Sequence, residues 1–599
     1  MKKSLLFSAV LAGLMLGSCS SSDDLAGGNN TANQSGSGYI SLSLNLPTRS
    51  GSMSRAENDN FNDGLANEYE VKNGTLILFE GANEADATFA GAYKLNNLSM
   101  NLVGTTTDNI TTTTKITKKI SSGLSDDTKK FYAIVVLNDN GTITVNDTDP
   151  ADFKVNSIAF STTSTISDLQ SLELTKDASA LKNTGFLMMN APLSSVKGGA
   201  AAPTPTGATI SVASEIDKNH IYATEALAKA NVSASVYVER ALAKVDVTAT
   251  STTGTLKDNA SVPYTVKGWI LDNTNKKTYY LRNTSDFSGW LSLATNAIAP
   301  SAPAKPYRFV GDTPMEGGVS LYRTYWAKDP NYNLTPSPLS SDFSTIGNSA
   351  PTSLKNLGEY DYCLENTFDV PHQNQNVTTR VIVAAQIQDD GKTFYIVNDD
   401  EANLLDATGM QNAVKTAFLS NTDVQNWLTT QLISGATFNG NDLEVADITV
   451  AGNNTPTVTI KSTSSSKFTG GAVPAFPTNI ENIVNAIKVA TYANGISYYP
   501  VRIKHFGDEL TPWKKTEFTL PSVSGSVYPT DNQAGNYLGR YGVLRNNWYT
   551  INVEGIKKIG SPVVPEVTED PDDELAAYIS VKINVLSWAK RTQGATLGE

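Results

Sequence analysis

Cysteine is nearly absent from this sequence. Only 2 of the 599 residues are cysteine, Cys19 and Cys363. If Cys19 carries a lipid, as argued below, Cys363 has no partner within the chain, and a disulfide framework is excluded. The fold must then be stabilised by its hydrophobic core. A chain of this length with 40% hydrophobic residues is long enough for two or three domains.

Histidine is equally scarce, and the common catalytic motifs are missing. The 3 histidines, His220, His372 and His505, are far apart and not in metal-ligand spacing. The chain has no Gly-x-Ser-x-Gly nucleophile motif and no phosphate-binding glycine loop. We therefore expect no metal, no cofactor and no enzymatic activity.

Positive charge is in the minority. The 46 Lys and Arg residues face 59 Asp and Glu residues, which gives a net charge of −13. No cluster of basic residues interleaved with aromatic residues is present, and such clusters are typical of nucleic-acid-binding surfaces. We expect the partners of this chain to be proteins.

Long apolar runs are missing except at the N-terminus. A run from Leu5 to Leu16 follows Lys2 and Lys3 and ends in small residues before Cys19, which is the layout of a secretory signal. Lipoprotein maturation needs a thiol at the first mature position. We therefore expect residues 1–18 to be a signal peptide and Cys19 to be the lipidation site of a precursor anchored in the outer membrane. A plain signal peptide followed by a chance cysteine is the alternative.

The remaining sequence has the pattern of antiparallel β-structure. Short runs rich in Val, Ile, Thr and Tyr alternate with Asn, Asp, Gly and Pro. The clearest predicted strands are Gly74 to Phe79, Phe131 to Leu137, Val377 to Gln386 and Phe394 to Val397, the last two joined by a hairpin turn at Asp389-Asp390-Gly391. A helix is predicted from the spacing of Ile480, Ile483, Val484 and Ile487 behind the possible caps Thr478 and Asn479. We expect an all-β chain with few helices.

The first and last predicted strands are nearly interchangeable. Both begin with Tyr-Ile-Ser and carry an apolar residue at every second position, so one face of each suits a hydrophobic groove. They read Tyr39-Ile40-Ser41-Leu42-Ser43-Leu44-Asn45-Leu46 and Tyr578-Ile579-Ser580-Val581-Lys582-Ile583-Asn584-Val585. Two segments that fit one edge groove suggest that one replaces the other, which is the logic of donor-strand exchange. Alternatively, amphipathic strands simply draw on few residue types.

Flexible segments are predicted beside both strands. Residues 20–38 are poor in apolar residues and are expected to be a tether. Residues 562–577 combine prolines with acidic residues and are expected to be a stretched linker. Between the first strand and the first domain, an uncharged run is interrupted by Arg49 and Arg55. An arginine-specific protease cutting there would detach the lipid, the tether and the first strand together.

With these features, the sequence resembles the type V fimbrillins of Bacteroidales, and most closely the major subunit of the short (minor) fimbriae. The segments that carry the resemblance are Phe131 to Asn138, Phe186 to Asn190, Val238 to Val245, Tyr498-Tyr499, Val543 to Tyr549, Ile556 to Gly560 and the final strand as far as Trp588. The region from Glu401 to Val489 does not fit the family pattern.

The resemblance implies two β-sandwich (transthyretin-like) domains, with an N-terminal propeptide strand and a C-terminal donor strand. By position, the family's cleavage falls at Arg55-Ala56, with Arg49-Ser50 as the fallback. The expected organisation is a signal peptide at 1–18, a propeptide at 19–55, sandwich domains at 56–240 and 241–561, a linker at 562–577 and a donor strand and tail at 578–599. The propeptide strand would insert Ile40, Leu42, Leu44 and Leu46, and the donor strand Ile579, Val581, Ile583, Val585 and Trp588.

The expected function is that of a structural pilin that polymerises and mediates adhesion to host or other bacteria. Its expected partners are other copies of itself, anchor and tip accessory subunits, an arginine-specific maturation protease and a surface receptor. Two alternatives remain. One is an accessory or tip adhesin of the same fold, and the other is a glycan-binding lipoprotein that stays on the membrane.

Overall fold

The computed structural model describes residues 38–46, 65–68, 70–96, 98, 101–103, 111–121, 128–183, 185–197, 209–290, 309–314, 321–334, 341–388, 390–446, 448, 454–505, 537–572 and 579–587. Strands predominate and helices are few, which confirms the predicted all-β class. No helix in these ranges is long and apolar enough to cross a membrane.

The helices are short, and three of them lie in one region of the chain. They are α1 (Ile166–Gln170), α2 (Ala178–Asn183), α3 (Glu225–Ala230), α4 (Ala407–Ser420), α5 (Thr422–Gln431) and α6 (Thr478–Ala486).

The N-terminal half is built on one large sheet. The strands of this half, in chain order, are β1 (Gly38–Leu46), β2 (Gly74–Gly81), β3 (Thr88–Leu95), β4 (Asn101–Val103), β5 (Thr111–Ile120), β6 (Lys130–Leu137), β7 (Ile143–Val145), β8 (Phe153–Val155), β9 (Ile158–Ala159), β10 (Glu173–Leu174), β11 (Met188–Asn190), β12 (Leu193–Ser194), β13 (Ile210–Ser211), β14 (Ser214–Ile216) and β15 (Ala234–Arg240). The nine-stranded sheet runs in the order β3-β2-β6-β11-β15-β1-β5-β4, with β14 paired to β6. A single hydrophobic core receives side chains from both parts of this sheet, from Phe79 on β2 to Ile120 on β5.

Two four-stranded sheets lie wholly within the C-terminal half, and a third is shared with the N-terminal half. The strands of the C-terminal half are β16 (Leu242–Ala249), β17 (Thr253–Thr255), β18 (Pro263–Asp272), β19 (Thr274–Asn275), β20 (Thr278–Tyr279), β21 (Val310–Pro314), β22 (Tyr322–Thr324), β23 (Phe343–Ser344), β24 (Tyr360–Leu364), β25 (Arg380–Ile387), β26 (Phe394–Val397), β27 (Leu443–Ala446), β28 (Thr457–Ile460), β29 (Val489–Tyr492), β30 (Ile496–Arg502), β31 (Asn547–Ile556) and β32 (Ile579–Ser587). The shared sheet has the order β13-β12-β22-β21.

The two main sheets of this half form a sandwich. Four-stranded sheets of order β24-β16-β31-β32 and β17-β18-β25-β30 enclose a common core. Val245 and Ile551 enter it from the first sheet, and Trp269 and Val383 from the second. Inward-facing side chains of two sheets packed face to face define a β-sandwich.

The predicted hairpin at Asp389-Asp390-Gly391 is wrong. β25 pairs with β18 and β30, whereas β26 pairs with β29, so the two strands belong to different sheets. Gly391 does have the positive φ, 63°, that tight turns require. The chain uses this turn to pass from one sheet to another, a choice that local turn chemistry cannot specify.

Buried charges join the two halves, in addition to the strand pairs β10–β20 and β12–β22. The chain passes from the large sheet to the sandwich at Ala241, between β15 and β16. Glu239 on β15 lies 3.4 Å from Arg282, and Arg282 lies 2.7 Å from Glu365. Arg545, ahead of β31, contacts Glu365 at 3.1 Å. All four side chains are at most 1% exposed. Loss of one partner would therefore leave a buried charge without a counter-charge or water, which is strongly destabilising.

Residues 398–488 form a separate lobe inserted between β26 and β29. Its core comprises side chains of α4, α5 and α6 and of the β27–β28 hairpin, among them Val414, Phe418, Leu428, Leu443, Ile480 and Val484. The predicted helix is present as α6, although Pro477 is its N-cap where Thr478 or Asn479 was expected. This is the region that does not fit the family pattern, and a core of its own, which also receives Val397 of β26 and Val489 of β29, explains how it is accommodated.

We expect the lobe to be removable. Val397 pairs with Val489, and the backbone N–H of Asn398 donates to the carbonyl of Lys488 at 2.9 Å, so the chain enters and leaves the lobe at adjacent points. Replacing residues 399–487 with an Asn-Gly turn should therefore leave a folded chain, because this dipeptide suits a two-residue hairpin. Circular dichroism and thermal unfolding would test this. An insoluble product, or loss of cooperative unfolding, would contradict it.

Candidate functional site

The first strand, β1, lies in the interior of the large sheet. It runs parallel to β15, with Leu42 opposite Ala234 and Leu44 opposite Val236. On its other side it runs antiparallel to β5 over its whole length. The sequence suggested an edge groove, but the structure places this strand between β15 and β5. We call the space between these two strands the slot.

The predicted inward-facing residues of β1 are buried. Ile40, Leu42 and Leu44 are each at most 1% exposed and belong to the N-terminal core. The side chain of Leu46, expected to join them, lies outside the described residues. Burial of an aliphatic side chain of this size stabilises a fold by roughly 1.5–3 kcal/mol. The N-terminal half therefore depends on a strand that the sequence assigns to a propeptide.

A segment that the sequence did not reveal extends the β15 side of β1. We call residues 217–233 the clamp. Tyr39 and Tyr222 exchange two backbone hydrogen bonds of 2.7 and 3.0 Å. The N–H of Ser41 donates to Oγ of Ser233 at 3.0 Å, and the N–H of Ser233 donates to the carbonyl of Ser41 at 2.7 Å. Between these contacts, α3 packs over β1 and β5. The only advance signal was the serine that both terminal strands share.

An anchor lies just beyond the predicted cleavage site. Nζ of Lys244 on β16 lies 2.8 Å from Glu68, and both side chains are at most 1% exposed. The hydroxyl of Tyr362 also donates to the Glu68 carboxylate, and Nε of Arg240 donates to its backbone carbonyl. The chain after residue 64 is thus held at the junction of the two halves. No sequence pattern identified this role for Glu68.

Several predicted site residues lie outside the described residues. They are Cys19, Arg49, Ser50, Arg55, Ala56 and Trp588. Their lipidation, cleavage and packing remain predictions.

The last strand, β32, lies at the edge of the sandwich. It runs antiparallel to β31, with Val581 opposite Val553 and Ile583 opposite Ile551. Ile579 and Val585 lie opposite Ile556 and Tyr549 in the same ladder. Among the described strands β31 is its one pairing partner, so β32 is held by fewer backbone hydrogen-bond neighbours than β1.

The predicted stretched linker is largely packed against the sandwich. Val564 is fully buried, and Ser561 and Tyr498 exchange backbone hydrogen bonds of 2.8 and 3.0 Å. The N–H groups of Asn376 and Gln375 donate to the carbonyls of Thr568 and Asp570, each at 2.9 Å. The linker predicted over residues 562–577 is therefore held against the sandwich as far as Asp572, where a flexible, stretched segment was expected. Composition favoured extension, but tertiary hydrogen bonds hold the extended chain in place.

Reactive groups in the described part of the chain do not converge. No cluster of three or more His, Cys, Asp or Glu side chains in these ranges has the geometry to hold a metal ion. His505 contacts the hydroxyl of Tyr549, whereas His372 contacts Asp369. Burial raises the pKa of the Cys363 thiol well above its ordinary value, which makes that thiol unreactive at neutral pH. The notable feature of the molecule is therefore the slot.

The fold and the slot define a class of protein. It is a two-part, β-rich protein whose first sheet is completed by a strand lying N-terminal to the rest of the fold, and whose own last strand lies at a sheet edge.

Within that class, residues 523–594 match the family model described as "Major fimbrial subunit protein type IV, Fimbrillin, C-terminal". The matched region contains β31, the packed segment after it and β32. The resemblance to fimbrillins seen in the sequence is thereby confirmed. No curated protein sequence matches the chain.

Solved structures with some similarity come from Parabacteroides distasonis and Porphyromonas gingivalis. A candidate cell adhesion protein from Parabacteroides distasonis has 12% identity and a TM-score of 0.34, over 92% of this chain and 98% of that one. A fimbrilin from Porphyromonas gingivalis has 10% identity and a TM-score of 0.30, over 92% and 99%. The tip fimbrial protein Mfa3 from Porphyromonas gingivalis, with a C-terminal truncation, has 10% identity and a TM-score of 0.27, over 92% and 100%.

The slot makes a prediction about the precursor. Leu44→Ala should lower its free energy of unfolding by roughly 2–5 kcal/mol, because the substitution leaves a cavity in the core. The matched change Ser43→Ala, on the half-buried outer face of the same strand, should cost less than about 0.5 kcal/mol. Urea unfolding of the uncleaved chain measures both. Equal effects of the two substitutions would show that β1 does not contribute to the core.

Proposed function

We propose that this chain is the structural subunit of a fimbria and that it polymerises by strand exchange. β1 fills the slot of the precursor, proteolysis releases it, and β32 of another copy takes its place. The observation that carries this proposal is that β1 is an interior strand of the large sheet and has a near-copy of its sequence in β32. The role that we propose is structural and not enzymatic.

The position of the cut suits such a release. Arg55, with Arg49 as the fallback, lies between β1 and the anchor at Glu68. Cleavage there leaves Glu68 paired with Lys244, so the remaining N-terminal segment stays attached to the body. Only the strand upstream of the cut becomes free to leave. An arginine-specific protease is the enzyme that this site requires.

The last strand matches β1 at every apolar position. Aligned without gaps, Ile579, Val581, Ile583 and Val585 take the positions of Ile40, Leu42, Leu44 and Leu46. In its own chain β32 pairs with β31, whereas a strand in the slot pairs with both β15 and β5. The second ladder of backbone hydrogen bonds favours transfer into the slot of a neighbour.

A filament follows from the geometry of this contact. The slot and β32 lie on different halves of the chain, so the contact between two copies is head-to-tail. Head-to-tail contacts that do not close into a ring extend without limit. We propose that the lipid at Cys19 carries the precursor to the outer membrane and that the cut removes the lipid together with β1. The filament would then include anchor and tip subunits and present a surface for adhesion to a host or bacterial receptor.

Removal of the last strand should abolish polymerisation. A chain lacking residues 578–599 keeps the slot and the cleavage site but has no strand to donate. After proteolysis we expect a soluble monomer in size-exclusion chromatography and no filaments in electron microscopy. Filaments formed by this truncated chain would refute strand exchange through β32.

Substitution of the cleavage site should arrest maturation. Arg55→Ala should leave β1 and the lipid attached, because the protease has lost its recognition residue. N-terminal sequencing of sheared surface protein would reveal whether a chain beginning at Ala56 is still produced. Arg49→Ala is the matched control and should mature normally. If it is the Arg49 variant that accumulates as precursor, the cut lies at Arg49-Ser50.

A further inference from the structure

The outer face of β1 is covered unevenly. Ser41, Ser43 and Asn45 share this face, since they alternate with the apolar residues. Ser41 is completely buried, whereas Ser43 and Asn45 are half-buried. Tyr39, on the same face, is half-buried as well, so Ser41 is the one fully buried residue among these four. The clamp bonds to both backbone groups of Ser41 through Ser233, and α3 packs over β1 and β5.

The clamp contacts the backbone of Ser41, whose side chain is completely buried. Oγ of Ser233 accepts the N–H of Ser41 and donates its own proton to the carbonyl of His220 at 2.7 Å. The hydroxyl of Ser41 has no hydrogen-bond partner within the described residues. The position therefore requires a small side chain and does not require a hydroxyl group.

The last strand satisfies this requirement at the same position. Ser580 aligns with Ser41, whereas the large Lys582 aligns with half-buried Ser43. On this face the two strands agree at the fully buried position of Ser41, and their one difference falls at half-buried Ser43.

A size limit at the position of Ser41 would fix the register in which a donated strand pairs. Because side chains alternate with a period of two, a strand that slips by two residues still directs its apolar residues into the core. The hydrophobic pattern of β32 alone therefore permits several registers. A slip in one direction would bring Lys582 beneath the clamp, where a buried charge is costly, and a slip in the other would bring Tyr578 there.

We propose that the clamp sets the register of the strand donated by a second copy, by admitting only a small residue at the position of Ser41. Ser233 and α3 are then specificity determinants of the slot, and Ser580 is the residue that they select. This inference rests on the proposed strand exchange.

The size requirement is tested by substitutions in the donor strand. Ser580→Ala should polymerise like the natural chain, because no hydrogen bond is lost. Ser580→Leu should reduce filament yield by about tenfold or more, since the added atoms have no space beneath the clamp. Lys582→Leu places the same side chain at the half-buried position and should polymerise normally. Normal filament yield and unchanged register in Ser580→Leu would overturn the proposal.

Register is measured directly by disulfide formation in filaments. Ser43 lies opposite Lys115 on β5, so Lys582→Cys should cross-link to Lys115→Cys of the next subunit. Thr117→Cys and Thr113→Cys report slips of two residues in either direction, because they lie opposite Ser41 and Asn45. The precursor carrying Ser43→Cys and Lys115→Cys is the positive control.

The outcomes separate this inference from the exchange itself. Cross-linking at position 115 alone supports the proposal, and comparable cross-linking at 113 or 117 overturns it while leaving exchange intact. If filaments form but Lys582→Cys cross-links at none of the three positions, while the precursor control does, strand exchange fails and the inference fails with it.

Discussion

Insertion of β1 into the large sheet is the interaction on which the N-terminal half depends. The strand supplies Ile40, Leu42 and Leu44 to the core and satisfies backbone groups of both β15 and β5. Without it, two strands in the middle of the sheet would each present an unpaired edge beside an exposed apolar cleft. Unpaired edges of this kind bind other strands readily. In the proposed exchange, this need for a strand is what drives assembly.

In the proposed exchange, the remaining contacts would keep the body of the subunit in one piece. The pair of Glu68 and Lys244 holds the chain beyond the predicted cut, and the network of Glu239, Arg282, Glu365 and Arg545 joins the two halves. The packed segment around Val564 carries the chain across the sandwich towards β32. Buried charges suit this role because separating them is strongly unfavourable. Because these contacts link the two halves, the slot in one half and the donated strand in the other stay in a fixed relation within each subunit.

Sequence reasoning succeeded where the signal was local. Alternating apolar residues identified β1, β2 and β6, and helical spacing identified α6. It failed where the outcome depended on distant partners. The turn at Asp390-Gly391 has the right chemistry for a hairpin, yet β26 pairs with β29, about ninety residues further along the chain. The acidic stretch before β32 has the composition of a free linker, yet backbone hydrogen bonds to Gln375 and Asn376 hold it against the sandwich.

The sequence by itself determined that the chain is rich in strands, that its first and last strands share one pattern, and that two arginines follow the first. These properties are local, because alternation and residue type can be read along the chain. Only the tertiary structure decided that β1 is an interior strand, that residues 217–233 bond to its backbone and that Ser41 is completely buried. These facts arise from distant residues being brought together, such as Ser41 and Ser233, which are 192 positions apart, and a pattern of period two carries no information about such neighbours.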